Sequence, residues 1–197
     1  MPFSSSQGKL LFQDWLLPMI LVGEVEKILD VGAGAGAYSV LSKAVLQAAK
    51  EHKPDAVLSI DAIEAYSPYL ETYELRQKYN RIFETDARRW VKETDHRYDL
   101  IIMGDILEHL PKEEAISLYF AFLSRTKFLL LSVPCTLRNR RWSYGYDQQE
   151  EEWRENAFEK HHANWDYDEL LVTLGPFLWQ APFPTVAVLI AEGGLKN

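Results

Sequence analysis

The run Ile28-Leu29-Asp30-Val31-Gly32-Ala33-Gly34-Ala35-Gly36 combines residue types that can hold a charged ligand. An apolar stretch leads into three alternating glycines, and a helical pattern follows at Val40, Leu41, Ala44, Val45 and Ala48. Glycine tolerates positive φ and lets the backbone come close to a ligand, at the N-terminus of a helix that favours negative charge. By residue type, Gly32-x-Gly34-x-x-Ala37 also satisfies a dinucleotide fingerprint. A plain tight βα turn would need no ligand. Charge separates these readings. Asp30 stands just before the glycines, and Glu64, Asp86 and Asp105 follow later apolar runs. Carboxylates repel a pyrophosphate. They suit a ligand that carries a sulfonium, an ammonium and hydroxyls that donate hydrogen bonds.

A second group follows in Gly104-Asp105-Ile106-Leu107-Glu108-His109-Leu110, with His161 and Trp165 further on as His-x-x-x-Trp. Glu108, His109 and His161 are the candidates for acid–base work, because a useful base has a pKa near the working pH. Alternatively, Glu108 and His109 cap and charge the helix that begins at Pro111. His162 reads as structural. Asp105, Glu108, His109 and His161 also make a hard-ligand set for Mg²⁺ or Mn²⁺, although no metal ligand is expected. A third cluster is Arg138, Arg140 and Arg141, interleaved with Trp142, Tyr144 and Tyr146 and followed by Glu150 to Glu152. Guanidinium forks match carboxylate or phosphate, which makes Arg138 and Arg141 candidates for gripping an anionic substrate. The bland partner is the nearby glutamate run, a surface salt-bridge set worth little.

The elements that must position these groups alternate. Lys27 to Val31, Ala56 to Ile63, Arg81 to Glu84, Tyr98 to Met103 and Lys127 to Val133 read as five strands, near-continuously apolar. Amphipathic helices fall between them: one closed by Pro54, one capped by Ser67-Pro68 and running through Tyr79, and one from Pro111 to about Ser124. Ser4 to Ser6 can cap a leading helix that Pro18 ends or kinks. Buried strands alternating with helices indicate a parallel sheet covered on both faces. After a helix from Asp166 to Leu174, Phe177 to Gln180 and Thr185 to Ala191 form a hairpin, so one of them is antiparallel to the rest. Residues 136–160 fit neither pattern. They leave the C-terminal edge of the fifth strand, where open α/β sheets bind ligands, and read as a lid over the site.

With these motifs the chain resembles the class I S-adenosylmethionine-dependent methyltransferases. Asp30 to Gly36 is similar to that family's first motif, and the resemblance extends over about residues 27 to 192. It implies one α/β domain over residues 1–197. The sheet would be Rossmann-like, doubly wound and seven-stranded, in order 3-2-1-4-5-7-6 with strand seven antiparallel. Helices would cover both faces. It implies S-adenosyl-L-methionine as cofactor, with Asp30, Gly32, Gly34, Gly36, Glu64, Asp86, Ala87 and Asp105 as its contacts. For the acid that binds the ribose, Asp61 and Glu64 compete; Glu64 is preferred because it ends its strand, while Asp86 also reads as a helix N-cap. The reaction implied is in-line methyl transfer to a small acceptor, anionic if the arginines grip it. The post-strand-four group is also similar to that of small-RNA 2′-O-methyltransferases, which use a metal. This chain departs from them where Thr136-Leu137 follow Pro134-Cys135. The competing classes are that metal-assisted RNA enzyme, an NAD(P)-dependent oxidoreductase on a similar sheet, a regulatory module that binds the cofactor without catalysis, and a transfer of another group from a related cofactor.

Composition narrows the partners. The chain has 197 residues, 21 Lys+Arg against 29 Asp+Glu, and a net charge of -8. A global basic surface for nucleic acid is therefore disfavoured, and a small-molecule substrate is expected. The single cysteine, Cys135, excludes a disulfide framework and a Cys-rich zinc site, and suits a reducing compartment. Phe12 to Val22 is apolar but far too short to span a membrane. A cytoplasmic protein without membrane partners is the expectation.

Overall fold

In the computed structural model, residues 6–136, 156–182 and 186–195 are described. Five apolar runs form parallel strands: β1 (Lys27–Val31), β2 (Ser59–Glu64), β3 (Arg81–Glu84), β4 (Tyr98–Gly104) and β5 (Thr126–Thr136). A two-residue strand, β6 (Trp165–Asp166), pairs with the end of β5, and β7 (Trp179–Pro182) and β8 (Val186–Glu192) complete the sheet. The order is β3-β2-β1-β4-β5-β8-β7, with β8 antiparallel to both of its neighbours. Without the short β6, this is the order that the family resemblance implies, and the reversed strand is one of the two in the expected hairpin.

The period-two geometry of strands explains why these segments are apolar throughout. Leu29, Val31, Ile101, Met103, Leu129 and Leu131 point to one face, where they meet Trp90 of α5 (Ala87–Glu93), Phe122 of α6 (Lys112–Leu123) and Leu170 of α7 (Tyr167–Leu174). Their neighbours Ile28, Ile60, Leu100, Ile102 and Leu130 point to the other face. There they meet Phe12, Leu16 and Ile20 of α1 (Ser6–Val22) and Val45 and Ala49 of α2 (Ala37–Lys50). Each such side chain contributes about 1.5–3 kcal/mol when fully buried, so both helix layers are held strongly.

The strand read from Ala56 begins at Ser59, the one read as Phe177 to Gln180 runs Trp179–Pro182, and three larger differences bear on the site. Helix α1 does not end at Pro18 but continues to Val22. Pro18 is exposed, while Leu16 and Ile20 on either side are 0% and 2% exposed, so packing of both turns outweighs the backbone hydrogen bond that proline cannot make. The helix expected from Ser67 through Tyr79 is two pieces, α3 (Pro68–Thr72) and α4 (Leu75–Lys78), separated where Glu74 takes φ 50°. Strand β5 runs past Val133 to pair Cys135 with Trp165 and Thr136 with Asp166. That extension draws the chain after residue 160 to the ligand edge of the sheet.

Candidate functional site

Because β1, β2, β4 and β5 are parallel, their C-terminal ends gather the predicted acids and glycines along one edge. At the end of β1 the chain turns through Gly32, Gly34 and Gly36 with φ of 75°, 51° and 75°. Gly36 is the N-cap of α2. Positive φ alone favours glycine at these positions. At Gly32 space does too, since an added Cβ would stand 2.2 Å from Ile106 Cδ1.

Glu64, the last residue of β2, is 6% exposed. Its Oε2 accepts from Gly34 N at 2.9 Å and its Oε1 from Tyr66 N at 2.8 Å. Burial raises its pKa, and the two backbone N–H groups oppose that rise. Asp30 is 1% exposed and accepts from the Tyr79 hydroxyl at 2.5 Å. Burial pushes its carboxyl up to about 7; the Tyr79 bond works against this, and Glu64 adds repulsion. Asp105 takes φ 55°, its N–H donates to Ser132 O at 2.7 Å, and its Oδ1 accepts from Ser132 Oγ at 3.0 Å.

Asp61 lies elsewhere. Its carboxylate accepts from Tyr98 Oη at 2.9 Å in a cleft of about 330 Å³ at the starts of the strands, with Lys27, Ser59 and Arg81. Asp86 caps α5, accepting from Arg88 N at 2.7 Å, and its two oxygens also receive the Arg88 guanidinium. That ion pair holds the carboxyl below its ordinary range. Ala87 follows as the first residue of α5.

Glu108 and His109 sit on a single 3₁₀ turn, Leu107–His109, beyond β4. The Glu108 carbonyl accepts from His162 N at 2.7 Å and Ala163 N at 3.1 Å, which fastens the turn to the segment carrying His161. The His109 and His161 rings meet edge to face with centroids 4.7 Å apart. Burial raises the Glu108 carboxyl and lowers both imidazoles, His161 to about 4. Asp105 bonds Ser132 and adds repulsion to the Glu108 carboxyl. His162 is exposed and serves through its backbone, as a structural residue would. Trp165 is buried, with Lys112 Nζ 5.2 Å from its ring.

Of the expected lid, Arg138 and Arg141 lie outside the described residues, as does all of 137–155. Its last part lies against the site: Tyr69 Oη donates to Glu159 Oε1 at 3.0 Å. Three further residues belong to this edge without having been expected there. Lys9 of α1 is half-buried and interacts electrostatically with both Asp105 and Asp30. Tyr79 bonds Asp30, and Tyr38 packs under Gly104, where an added Cβ would come within 2.6 Å of its ring. No spacing signal marks them, because each reaches its partner across the sheet.

No family model matches the sequence, and no curated protein matches it. Solved structures do match. TehB from Haemophilus influenzae superposes with a TM-score of 0.61 at 12% identity, over 91% of this chain and 61% of that one. Magnesium protoporphyrin IX methyltransferase from Synechocystis PCC 6803, with bound S-adenosylmethionine, gives 0.57 at 15% identity over 94% of this chain and 80% of that one. An S-adenosylmethionine-dependent methyltransferase from Clostridium acetobutylicum ATCC 824 gives 0.58 at 10% identity, over 92% and 90%. This chain has the fold of the class I methyltransferases, and the likeness is one of fold.

Proposed function

We propose that the chain is an S-adenosylmethionine-dependent methyltransferase acting on a small acceptor. One observation carries the reading: the Gly34 N–H, which a dinucleotide pyrophosphate would need, is taken by the Glu64 carboxylate at 2.9 Å. An anionic phosphate beside that buried carboxylate would be repelled, whereas ribose hydroxyls would donate to its remaining lone pairs. Asp30 and Asp105 suit the positive ammonium and sulfonium, and Lys9, between them in charge, suits the cofactor's carboxylate. On the adenine side Asp86 would share its oxygens with Arg88, next to Ala87. S-adenosylmethionine supplies a methyl group on sulfur that an acceptor atom displaces in line.

The protein's part is chiefly to position the acceptor and exclude water. Glu108, His109 and His161 lie together at the edge after β4, where they can orient an acceptor and receive its proton. Arg138 and Arg141 are assigned to an anionic group of the acceptor on the sequence alone. A single cysteine, which leaves no disulfide framework, supports a cytoplasmic location. Among the described residues no helix is long and apolar enough to cross a membrane.

A thermal-shift comparison of S-adenosylhomocysteine with NAD and NADP tests the cofactor. Stabilisation by S-adenosylhomocysteine and none by the dinucleotides is expected. Equal stabilisation by NAD overturns the reading.

A further inference from the structure

The edge of the sheet opposite the glycine turn has a chemistry of its own. Strands β1, β2, β3 and β4 begin at Lys27, Ser59, Arg81 and Tyr98. Parallel register sets Lys27 opposite Ser59 and Asp61 opposite Arg81. With Asn80, His96 and Arg97 these residues line the cleft of about 330 Å³. Small-molecule sites commonly measure about 300–1,000 Å³, so a small ligand has room. Glu64 ends the strand that Ser59 begins, which puts the two edges a strand length apart.

Charge gives the cleft its character. Lys27, Arg81 and Arg97 set three cations against the one carboxylate of Asp61. The whole chain carries a net charge of -8, so this grouping runs against its surroundings. Among the described residues none of the three forms an ion pair, whereas Arg76, Arg88, Arg89, Lys112 and Lys127 each do. The Arg81 guanidinium lies instead over the Phe83 ring, 5.6 Å from its centroid. Guanidinium forks match phosphate oxygens in pairs, and a concave wall concentrates the field of like charges.

The rest of the wall suits hydroxyls. Asp61 accepts from Tyr98 Oη at 2.9 Å, and a carboxylate has further lone pairs to offer. Asn80 Oδ1 accepts from Ile60 N at 2.8 Å, which fixes the amide and leaves its NH₂ to donate. The His96 ring stacks on Trp90 with centroids 6.0 Å apart, and it lies 5.7 Å from Phe83. The loop before β4 is thus held by the fold.

We propose that this cleft is a second ligand site, for a small phosphate monoester that also carries hydroxyls. The phosphate meets Lys27, Arg81 and Arg97, and the hydroxyls meet Asp61 and Asn80. A carboxylate in the wall and an acidic chain around it disfavour a nucleic-acid backbone, which needs a run of cations. The site does not rest on the methyl-transfer reading.

The test titrates the whole chain by calorimetry at low salt with glucose 6-phosphate, uridine 5′-monophosphate, inorganic phosphate and glucose. At least one ester should bind once per chain with a Kd below about 1 mM, more tightly than inorganic phosphate, and glucose should not bind. Arg81→Ala and Arg97→Ala should each weaken that ester by at least about tenfold, with folding checked by circular dichroism. If one variant does not fold, the other decides. Arg89→Ala removes the same charge from a guanidinium already paired with Glu93 at 2.7 Å, and should leave the affinity as it was. Binding of both esters weaker than that limit, unchanged affinity in the folded cleft variants, or an equal loss in Arg89→Ala overturns the site. Inorganic phosphate binding as tightly as the esters, or a single-stranded oligonucleotide binding more tightly, overturns the assignment of the ligand. The titration is repeated with S-adenosylhomocysteine at saturation, where the ester's affinity should hold; competition would put the ester at the other edge and overturn the site. Failure of S-adenosylhomocysteine to bind would count against the methyl-transfer reading and leave this site standing.

Discussion

Glu64 holds both carboxylate oxygens on backbone N–H groups, one of them in the glycine turn, so it fixes the turn as well as offering lone pairs to a ribose. Glu64→Ala should weaken S-adenosylhomocysteine binding by about 1–3 kcal/mol, since it removes charge-assisted hydrogen bonds. Isothermal calorimetry reads this directly, and unchanged affinity would remove Glu64 from the ribose site. Asp30 makes a different prediction. Burial lifts its pKa from the ordinary 3.8 to about 7 in the folded chain. A carboxyl raised on folding contributes stability below its unfolded pKa and loses it as pH rises through the folded value. Asp30→Asn carries no such charge and can still accept from Tyr79. Denaturation of the two proteins should therefore show the balance moving toward Asn between pH 5 and pH 8, by about 1–3 kcal/mol. A balance moving toward Asp would mean that the Lys9 charge dominates the pocket.

Among the elements, β6 and α7 do the most for the site relative to their size. Trp165 and Asp166 pair with the end of β5, and Asp166 then caps α7 through a full capping box with Glu169. The chain carrying His161 enters this anchor directly. Asp166→Ala should cost about 1 kcal/mol of stability, from the loss of a cap. For a domain of this size that is a fall in Tm of about 2–4 °C, readable by calorimetric scanning. If Tm stays constant, the cap is not what holds the segment. Helix α1 plays a comparable part on the other face. Phe12, Leu16 and Ile20 seat it on the sheet, and that seating carries Lys9 to the acids of the ligand edge.

At the scale of the whole molecule, a net charge of -8 surrounds an edge that is itself acidic, so an anionic acceptor would need its own cations. Arg138 and Arg141, with Arg140 between them, are cations in the segment that follows β5. Replacing both with Ala should raise KM for the true acceptor and leave S-adenosylhomocysteine affinity as it was. Steady-state kinetics with calorimetry on the same preparation checks both halves, and an unmoved KM assigns the arginines to the surface.

The sequence by itself determined the sheet, because strands buried on both faces must be apolar at every position and helices between them must be amphipathic. It likewise marked the ligand edge, through glycines at positive φ and acids at strand ends, both signals local to a few residues. Glu64 rather than Asp61 at that edge was legible from where the strand ends. Pairing across the sheet was not. Tyr79 on Asp30, Lys9 beside Asp105 and Asp30, and Ser132 on Asp105 join residues far apart in the chain, and no periodicity encodes such contacts. Pro18 inside α1 shows the same principle, since local propensity yields to buried neighbours. The grouping of Glu108 and His109 with His161 was suggested by residue type alone. Only the backbone bonds between the two segments decided that Glu108, His109 and His161 converge while Asp105 is held by Ser132.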